Sequence, residues 1–154
     1  MKKIVFVVCL ILSLWSCTRL DTFEQIVFFP NHQWTSKYQP SFHFEISDTT
    51  VRYNIYVVIR HEDAYHFNNL WLNVITTAPG EKPNSQKVNL QLANNSTGWL
   101  GSGMDDVFDH RIRITNSPIH LRKGIYQFNL QQIMREDPLP AMLNAGIRVE
   151  KIHS

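Results

Sequence analysis

Apolar and polar residues alternate along most of this chain, and the alternation constrains the fold more than any other feature. In SFHFEIS, Phe42, Phe44 and Ile46 share one parity, whereas His43 and Glu45 share the other. Successive side chains of a strand point to opposite faces of a sheet, so this pattern predicts a strand with one buried face. Comparable patterns occur in FEQIVFF, VRYNIYVVIR, NLWLNVITT, KVNLQL, HRIRIT, GIYQFNLQQI and NAGIRVEKI. About eight short strands predict an all-β chain, a single antiparallel β-sandwich for which jelly-roll connections are one arrangement.

The breaks between these segments carry turn-forming residues. Pro79 and Pro83 predict a loop over APGEKPNSQ, between NLWLNVITT and KVNLQL. Helix signals are sparse. The segment DPLPAMLNAG predicts one helical turn ending at Gly146, limited by Pro138 and Pro140.

The N-terminus has the pattern of a lipoprotein signal peptide. Two lysines precede an apolar stretch, IVFVVCLILSLW, which is shorter than the about 20 residues that span a bilayer. Ser16 and Cys17 then match a bacterial lipoprotein box, in which the cysteine is acylated and becomes the new N-terminus. An ordinary secretory signal with a chance cysteine is the alternative. The predicted domains are a signal peptide over 1–16, a lipidated N-terminus and tether over 17–22, and a β-sandwich over 23–154.

Composition narrows the classes of protein. Cys9 leaves with the signal and Cys17 would carry lipid, so the folded domain has no cysteine for a disulfide or a cysteine metal site. The chain has 15 basic and 13 acidic residues, and removing Lys2 and Lys3 leaves 13 of each, a net charge of zero. We therefore expect attachment to a membrane through the lipid, and no nucleic-acid partner, because a basic footprint is missing.

The densest stretch, GWLGSGMDDVFDHR at residues 98–111, connects two predicted strands, and its glycines permit a tight backbone path. Asp105, Asp106 and Asp109 carry oxygens that calcium prefers, but their spacing is not that of an EF-hand loop. Asp106 and His110 form a candidate acid–base couple without a nucleophile in a recognised elbow. We predict turn-forming aspartates, no metal or other cofactor, no enzyme activity, and Trp99 packed as a structural anchor.

A second dense stretch, IRHEDAYHFNNLWLNV at residues 59–74, places His61 and His66 around two acids. This spacing is neither that of a helix-borne zinc protease nor that of a zinc finger. We instead predict a hairpin connection over which Trp71 packs as a second structural anchor. Complementary charges in Arg60, Asp105, Asp106 and Arg111 predict that the two dense stretches are neighbours. The predicted interaction surface comprises Arg60, His61, Asp63, Tyr65, Asp105, Asp106, His110 and Arg111.

Three tryptophans leave a second function open. If Trp34, Trp71 and Trp99 were exposed on a common face of a jelly-roll sandwich, they would favour a carbohydrate-binding envelope lipoprotein, since jelly rolls include lectin domains. Burial in the core is the other role open to them.

The lipoprotein box at Cys17, the segment YNIYVVIRHEDAYHFNNLWLNV, the stretch GWLGSGMDDVFDHR and the closing GIYQFNLQQIMREDPLPAMLNAGIRVEKI together resemble the gliding motility lipoprotein GldH family of the Bacteroidetes. The resemblance covers essentially the whole mature chain. It implies a lipoprotein of the cell envelope, associated in gliding members with the motility machinery and the type IX secretion system. We predict that the protein is a non-enzymatic component that supports gliding motility and/or type IX secretion by binding envelope proteins. The resemblance transfers no catalytic residue.

Two local features add to what the resemblance implies. Surface-exposed lipoproteins of that phylum carry an acidic cluster after the cysteine, whereas this chain reads CTRLDTF. We therefore expect an outer-membrane lipoprotein that faces the periplasm. The sequence Asp48-Thr49-Thr50 also resembles the O-glycosylation motif of that phylum, with Thr49 as the acceptor.

Overall fold

A computed structural model describes residues 21–153, and nearly all of its regular structure is strand. The strands are, in order, β1 (Thr22–Phe28), β2 (Gln33–Trp34), β3 (Ser41–Ile46), β4 (Arg52–Glu62), β5 (Asn69–Thr77), β6 (Asn84–Gln91), β7 (Ala93–Asn94), β8 (Gly98–Trp99), β9 (Ser102–Met104), β10 (Val107–Arg113), β11 (Ile119–His120), β12 (Gly124–Gln132), β13 (Leu139–Pro140) and β14 (Met142–Ile152). A short 3-10 turn, Pro30–His32, follows β1. Within this part of the chain, no helix has the length and apolar character needed to cross a membrane.

The strands form two main sheets with antiparallel pairing. One sheet has the order β1-β14-β4-β10-β9, with β11 also paired to β4, and the other has the order β3-β12-β5-β6. The pairs are nested in sequence: β5 with β6, β4 with β10, β3 with β12, and β1 with β14. A long hairpin rolled into two sheets gives this nesting. The predicted antiparallel β-sandwich is confirmed, and its connections are those of a jelly roll.

The core lies between the two sheets and is built from the predicted apolar parity. Phe42, Phe44 and Ile46 of β3 are buried, and the residues between them are exposed. Burying one such side chain contributes about 1.5–3 kcal/mol, so the alternation determines which face of each strand turns inward. At one end of the sandwich, the fully buried ring of Trp34 stacks on Phe29 with 4.7 Å between ring centroids.

The predicted helical turn in DPLPAMLNAG is wrong. Leu139 and Pro140 form β13, which pairs with β2, and β14 begins at Met142. Pro138 and Pro140 have no backbone N–H to donate within a helical turn. Pairing with Trp34 also buries Leu139 completely, which a one-turn helix on the surface would not achieve.

Candidate interaction surface

Strands β9 and β10 form a hairpin whose turn is Asp105-Asp106, since Met104 pairs with Val107. Asp105 has φ 53°, a left-handed conformation that aspartate tolerates better than most residues. A Cβ atom on Gly101 would lie 2.8 Å from the His110 ring, so the backbone approaches that ring more closely than a side chain would allow. The aspartates and this glycine therefore specify a backbone path, as the sequence predicted.

The hairpin packs beside the end of β4. Val107 pairs with Glu62, and the backbone N–H of Asp63 donates to the Asp106 carbonyl oxygen at 2.7 Å. The Trp99 indole N–H donates to Asp63 Oδ1 at 2.6 Å. The predicted proximity of the two dense stretches is confirmed.

An aromatic cluster centred on His61 fills the space between these segments. The His61 ring centroid lies 4.4 Å from that of Trp99, 5.0 Å from His110, 5.2 Å from Tyr65 and 5.8 Å from Phe108. His61, Tyr65 and His110 are buried, with exposed fractions of 0%, 4% and 3%. The prediction that these three residues line a surface is therefore wrong. They instead pack inside the cluster with Trp99 and Phe108.

The alternation of residues along β4 and β10 already indicates that both histidines face the core. His61 continues the parity of the buried residues Val57 and Ile59 on β4. His110 has the parity of Ile112, which packs against the core from β10. Histidine is frequent at functional sites, but its position within a strand decides which face of the sheet its side chain lies on.

A single hydrogen bond joins the rings of the two histidines. His61 Nδ1 lies 2.8 Å from the Glu62 carbonyl oxygen, which only accepts, so this nitrogen is assigned the hydrogen. His61 Nε2 must then accept from His110 Nε2, which lies 2.9 Å away. Burial, followed by the repulsion from His61, lowers the pKa of His110 to about 4, and burial also lowers the pKa of His61. Both rings are therefore neutral at pH 7.

The exposed part of this region is a small acidic and apolar surface, which we call the hairpin tip: Asp63, Leu100, Met104, Asp105 and Asp106. Met104 is 78% exposed and Leu100 is 50% exposed. An open cavity of about 410 Å³ adjoins the tip, with Glu62, Asp63 and Asp106 in its lining. Sequence reasoning missed Leu100 and Met104, because exposed apolar residues between glycines follow no strand period.

The two predicted arginines lie elsewhere, on the outer face of the six-stranded sheet. Arg60 donates to both carboxylate oxygens of Asp109, at 2.6 and 2.9 Å, and this hydrogen bonding raises the pKa of Arg60. Arg111 pairs with Glu24 at 3.3 Å. Within the described residues, neither arginine forms an ion pair with Asp105 or Asp106.

The tryptophans do not share a face. Trp34 is fully buried, and Trp99 is half-buried against the core, in keeping with its predicted role as a structural anchor. Trp71 is 42% exposed, because Leu70 and Leu72 occupy the inward parity of β5. The prediction of Trp71 as a structural anchor is wrong, and the condition set for a three-tryptophan platform is not met.

The remaining predicted sites concern modification and metal. Thr49 is exposed in the connection between β3 and β4, where Asp48 Oδ1 accepts hydrogen bonds from Thr50 that lower the pKa of Asp48. Cys17 lies outside the described residues. Among residues 21–153, no three histidine, cysteine, aspartate or glutamate residues are grouped so that they could hold a metal ion.

Comparison with known proteins identifies the family. A protein of Christiangramia forsetii named gliding motility lipoprotein GldH homolog is 26% identical over 138 residues, covering 85% of this chain and 82% of its own. The gliding motility lipoprotein GldH of Flavobacterium johnsoniae is 25% identical over 145 residues, covering 90% and 89%. A structure of the infectious bursal disease virus Gx strain matches 86% of this chain and 32% of its own at 13% identity, but its TM-score of 0.29 supports no argument. The model of the family described as GldH lipoprotein matches residues 21–149, and the chain belongs to that family.

Proposed function

We propose that this protein is a non-enzymatic lipoprotein of the outer membrane, attached through lipid on Cys17 and facing the periplasm. In this proposal it supports gliding motility or type IX secretion by binding another envelope protein at the hairpin tip. The names of the two relatives and the lipoprotein box at Cys17 support the first part. O-glycosylation of the exposed Thr49 belongs to the same proposal. The observation that carries the binding role is the position of the tip relative to the start of β1.

The tip lies at the end of the six-stranded sheet opposite the start of β1, as the strand register shows. β1 begins at Thr22, five residues after Cys17, and Thr22 pairs with Glu150 of β14. Glu150 pairs with Asn54 near the start of β4, whereas the hairpin tip lies beside Glu62 at the other end of β4. The eight residue steps from Asn54 to Glu62 span about 26 Å at about 3.3 Å per residue. A lipid on Cys17 would thus hold the tip away from the membrane surface.

The chemistry of the tip suits a protein partner. Methionine is enriched at the centre of protein interfaces, and Met104 is 78% exposed next to the turn of this hairpin. Asp105 and Asp106 follow Met104 directly in the turn, and the backbone N–H of Asp63 donates to the Asp106 carbonyl oxygen. Arg60 does not neutralise these carboxylates, because it pairs with Asp109. The partner surface should therefore be basic around an apolar contact.

Site-specific photo-crosslinking in intact envelopes tests this proposal. A photoreactive amino acid at position 104 should give a discrete crosslinked protein band, and the same residue at position 125 should not. Ile125 is a matched control, since it is 62% exposed but lies on β12 of the opposite sheet.

A charge variant adds a second readout. Asp105→Asn with Asp106→Asn should weaken the position-104 crosslink, because the variant loses electrostatic attraction to a basic partner while the turn can still form. Equal crosslinking from positions 104 and 125, or a specific band unaffected by the asparagine variant, would contradict the proposed surface.

A further inference from the structure

A second site lies at the edge of the four-stranded sheet, apart from the hairpin tip. It is a polar cavity of about 390 Å³, within the about 300–1,000 Å³ of small-molecule sites. Its lining consists of Asn68, Asn69, Asn89, Gln91, Ala93, Asn94 and Asn95. Apart from Ala93, every lining side chain is a carboxamide, and none carries a charge. Such a cavity matches a ligand that is itself neutral and bears many hydrogen-bonding groups.

Pairing between the carboxamides fixes their orientation. Asn69 Nδ2 donates to Asn89 Oδ1 at 2.7 Å, and Asn68 Nδ2 donates to Asn95 Oδ1 at 3.0 Å. A carboxamide has two N–H donors and an oxygen with two lone pairs, so each pair retains both donor and acceptor capacity. Donors and acceptors held side by side suit hydroxyl groups, which donate and accept at once. Because the pairing already orders these side chains, a ligand would lose less free energy in ordering them.

Trp71 adds an aromatic surface beside the amides. It lies directly opposite Asn89 in the register of β5 and β6, so the two side chains share the outer face of the sheet. Its indole is 42% exposed. An exposed aromatic ring bordered by hydrogen-bonding groups matches a sugar ring, which presents C–H groups on one face and hydroxyls at its edge.

We propose that this cavity, together with Trp71, binds a neutral carbohydrate. An anionic ligand would require arginine or lysine in the lining, and Lys87, two residues from Asn89 along β6, lies outside it. An apolar ligand would bury the carboxamides without replacing their hydrogen bonds to water, which costs free energy. The carbohydrate site does not depend on the protein-binding role of the hairpin tip.

Binding of the detergent-extracted full-length protein to an array of neutral and sialylated glycans tests the proposal. Neutral glycans should be captured in preference to sialylated ones, and the strongest neutral glycan is then titrated while tryptophan fluorescence is recorded. Trp71→Ala and Asn89→Ala should each weaken its affinity about tenfold or more, since a lost contact of about 1.4 kcal/mol has this effect. Trp71→Phe should retain most of the affinity, because it keeps an aromatic ring.

Gln127→Ala is the matched control. Gln127 lies on β12 of the same sheet and pairs with Thr77, at the end of β5 distant from the cavity, so this variant should bind like the parent. Capture of no neutral glycan, preference for sialylated glycans, or equal loss in Gln127→Ala and Asn89→Ala would overturn the proposal. Asn89→Ala should leave photo-crosslinking from position 104 unchanged, so the two sites can fail separately.

Discussion

Acidification should destabilise the fold through the buried histidine pair, and His110 determines most of the magnitude. Its pKa is about 4 in the folded protein and 6.5 in its unperturbed state, so the unfolded chain binds this proton more tightly. The contribution of neutral His110 to the free energy of unfolding is therefore complete above pH 6.5 and is lost as the pH falls toward 4. At about 1.4 kcal/mol per pKa unit, the titration of His110 lowers the free energy of unfolding by about 2 kcal/mol at pH 5 and by about 3 kcal/mol at pH 4. His61 contributes in the same direction, because burial lowers its pKa as well.

Urea unfolding at a series of pH values measures this loss, with His110→Gln as the test variant. The glutamine can still donate to His61 Nε2 but does not titrate. Between pH 7 and pH 4, the free energy of unfolding of the variant should therefore fall by about 3 kcal/mol less than that of the parent. Acid-sensitive groups away from the histidine pair are common to both proteins and cancel in the comparison, whereas His61 is coupled to His110 and its contribution belongs to the pair. His120→Gln is the control, since His120 is exposed on β11, and it should follow the parent. Parallel pH profiles for the parent and His110→Gln would refute the reasoning.

Three further predictions concern the lipid, the half-buried tryptophan and metal. Cys17→Ala should move the protein from the membrane fraction to the soluble fraction, and continued sedimentation with membranes would contradict lipidation at this residue. Trp99→Ala should lower the free energy of unfolding by about 2 kcal/mol, below the about 3–5 kcal/mol of a fully buried aromatic, because Trp99 is half-buried and hydrogen-bonded to Asp63. Chelator should leave the Tm within about 2 °C of the untreated value, whereas a larger drop that calcium or zinc reverses would reveal a structural metal.

The strands were predictable because burial of one face leaves a local signature. A period of two needs only a few neighbouring residues, and Phe42, Phe44 and Ile46 provide it within a single segment. The interruptions were harder to predict. The loop predicted over residues 78–86 is shorter in the structure, because β6 already begins at Asn84, where Thr76 of β5 pairs with it. Cross-strand pairing extends a strand through polar residues whose sequence carries no apolar signal.

The residues of the predicted interaction surface fall into three groups in the structure: buried aromatic rings, arginines on the outer face of the sheet, and the aspartates of the hairpin tip. Position along the strand, and not residue type, decides where a strand side chain lies. Arg60 and His61 are adjacent in sequence, yet Arg60 points to the outer face and His61 to the core. The same rule exposes Trp71, which its size alone would place inside. The hairpin tip and the amide-lined cavity each depend on a contact between segments distant in sequence, Asp63 with Asp106 in the first and Asn69 with Asn89 in the second. Neither contact leaves a periodic signal, so these sites become visible only once the sheets are paired.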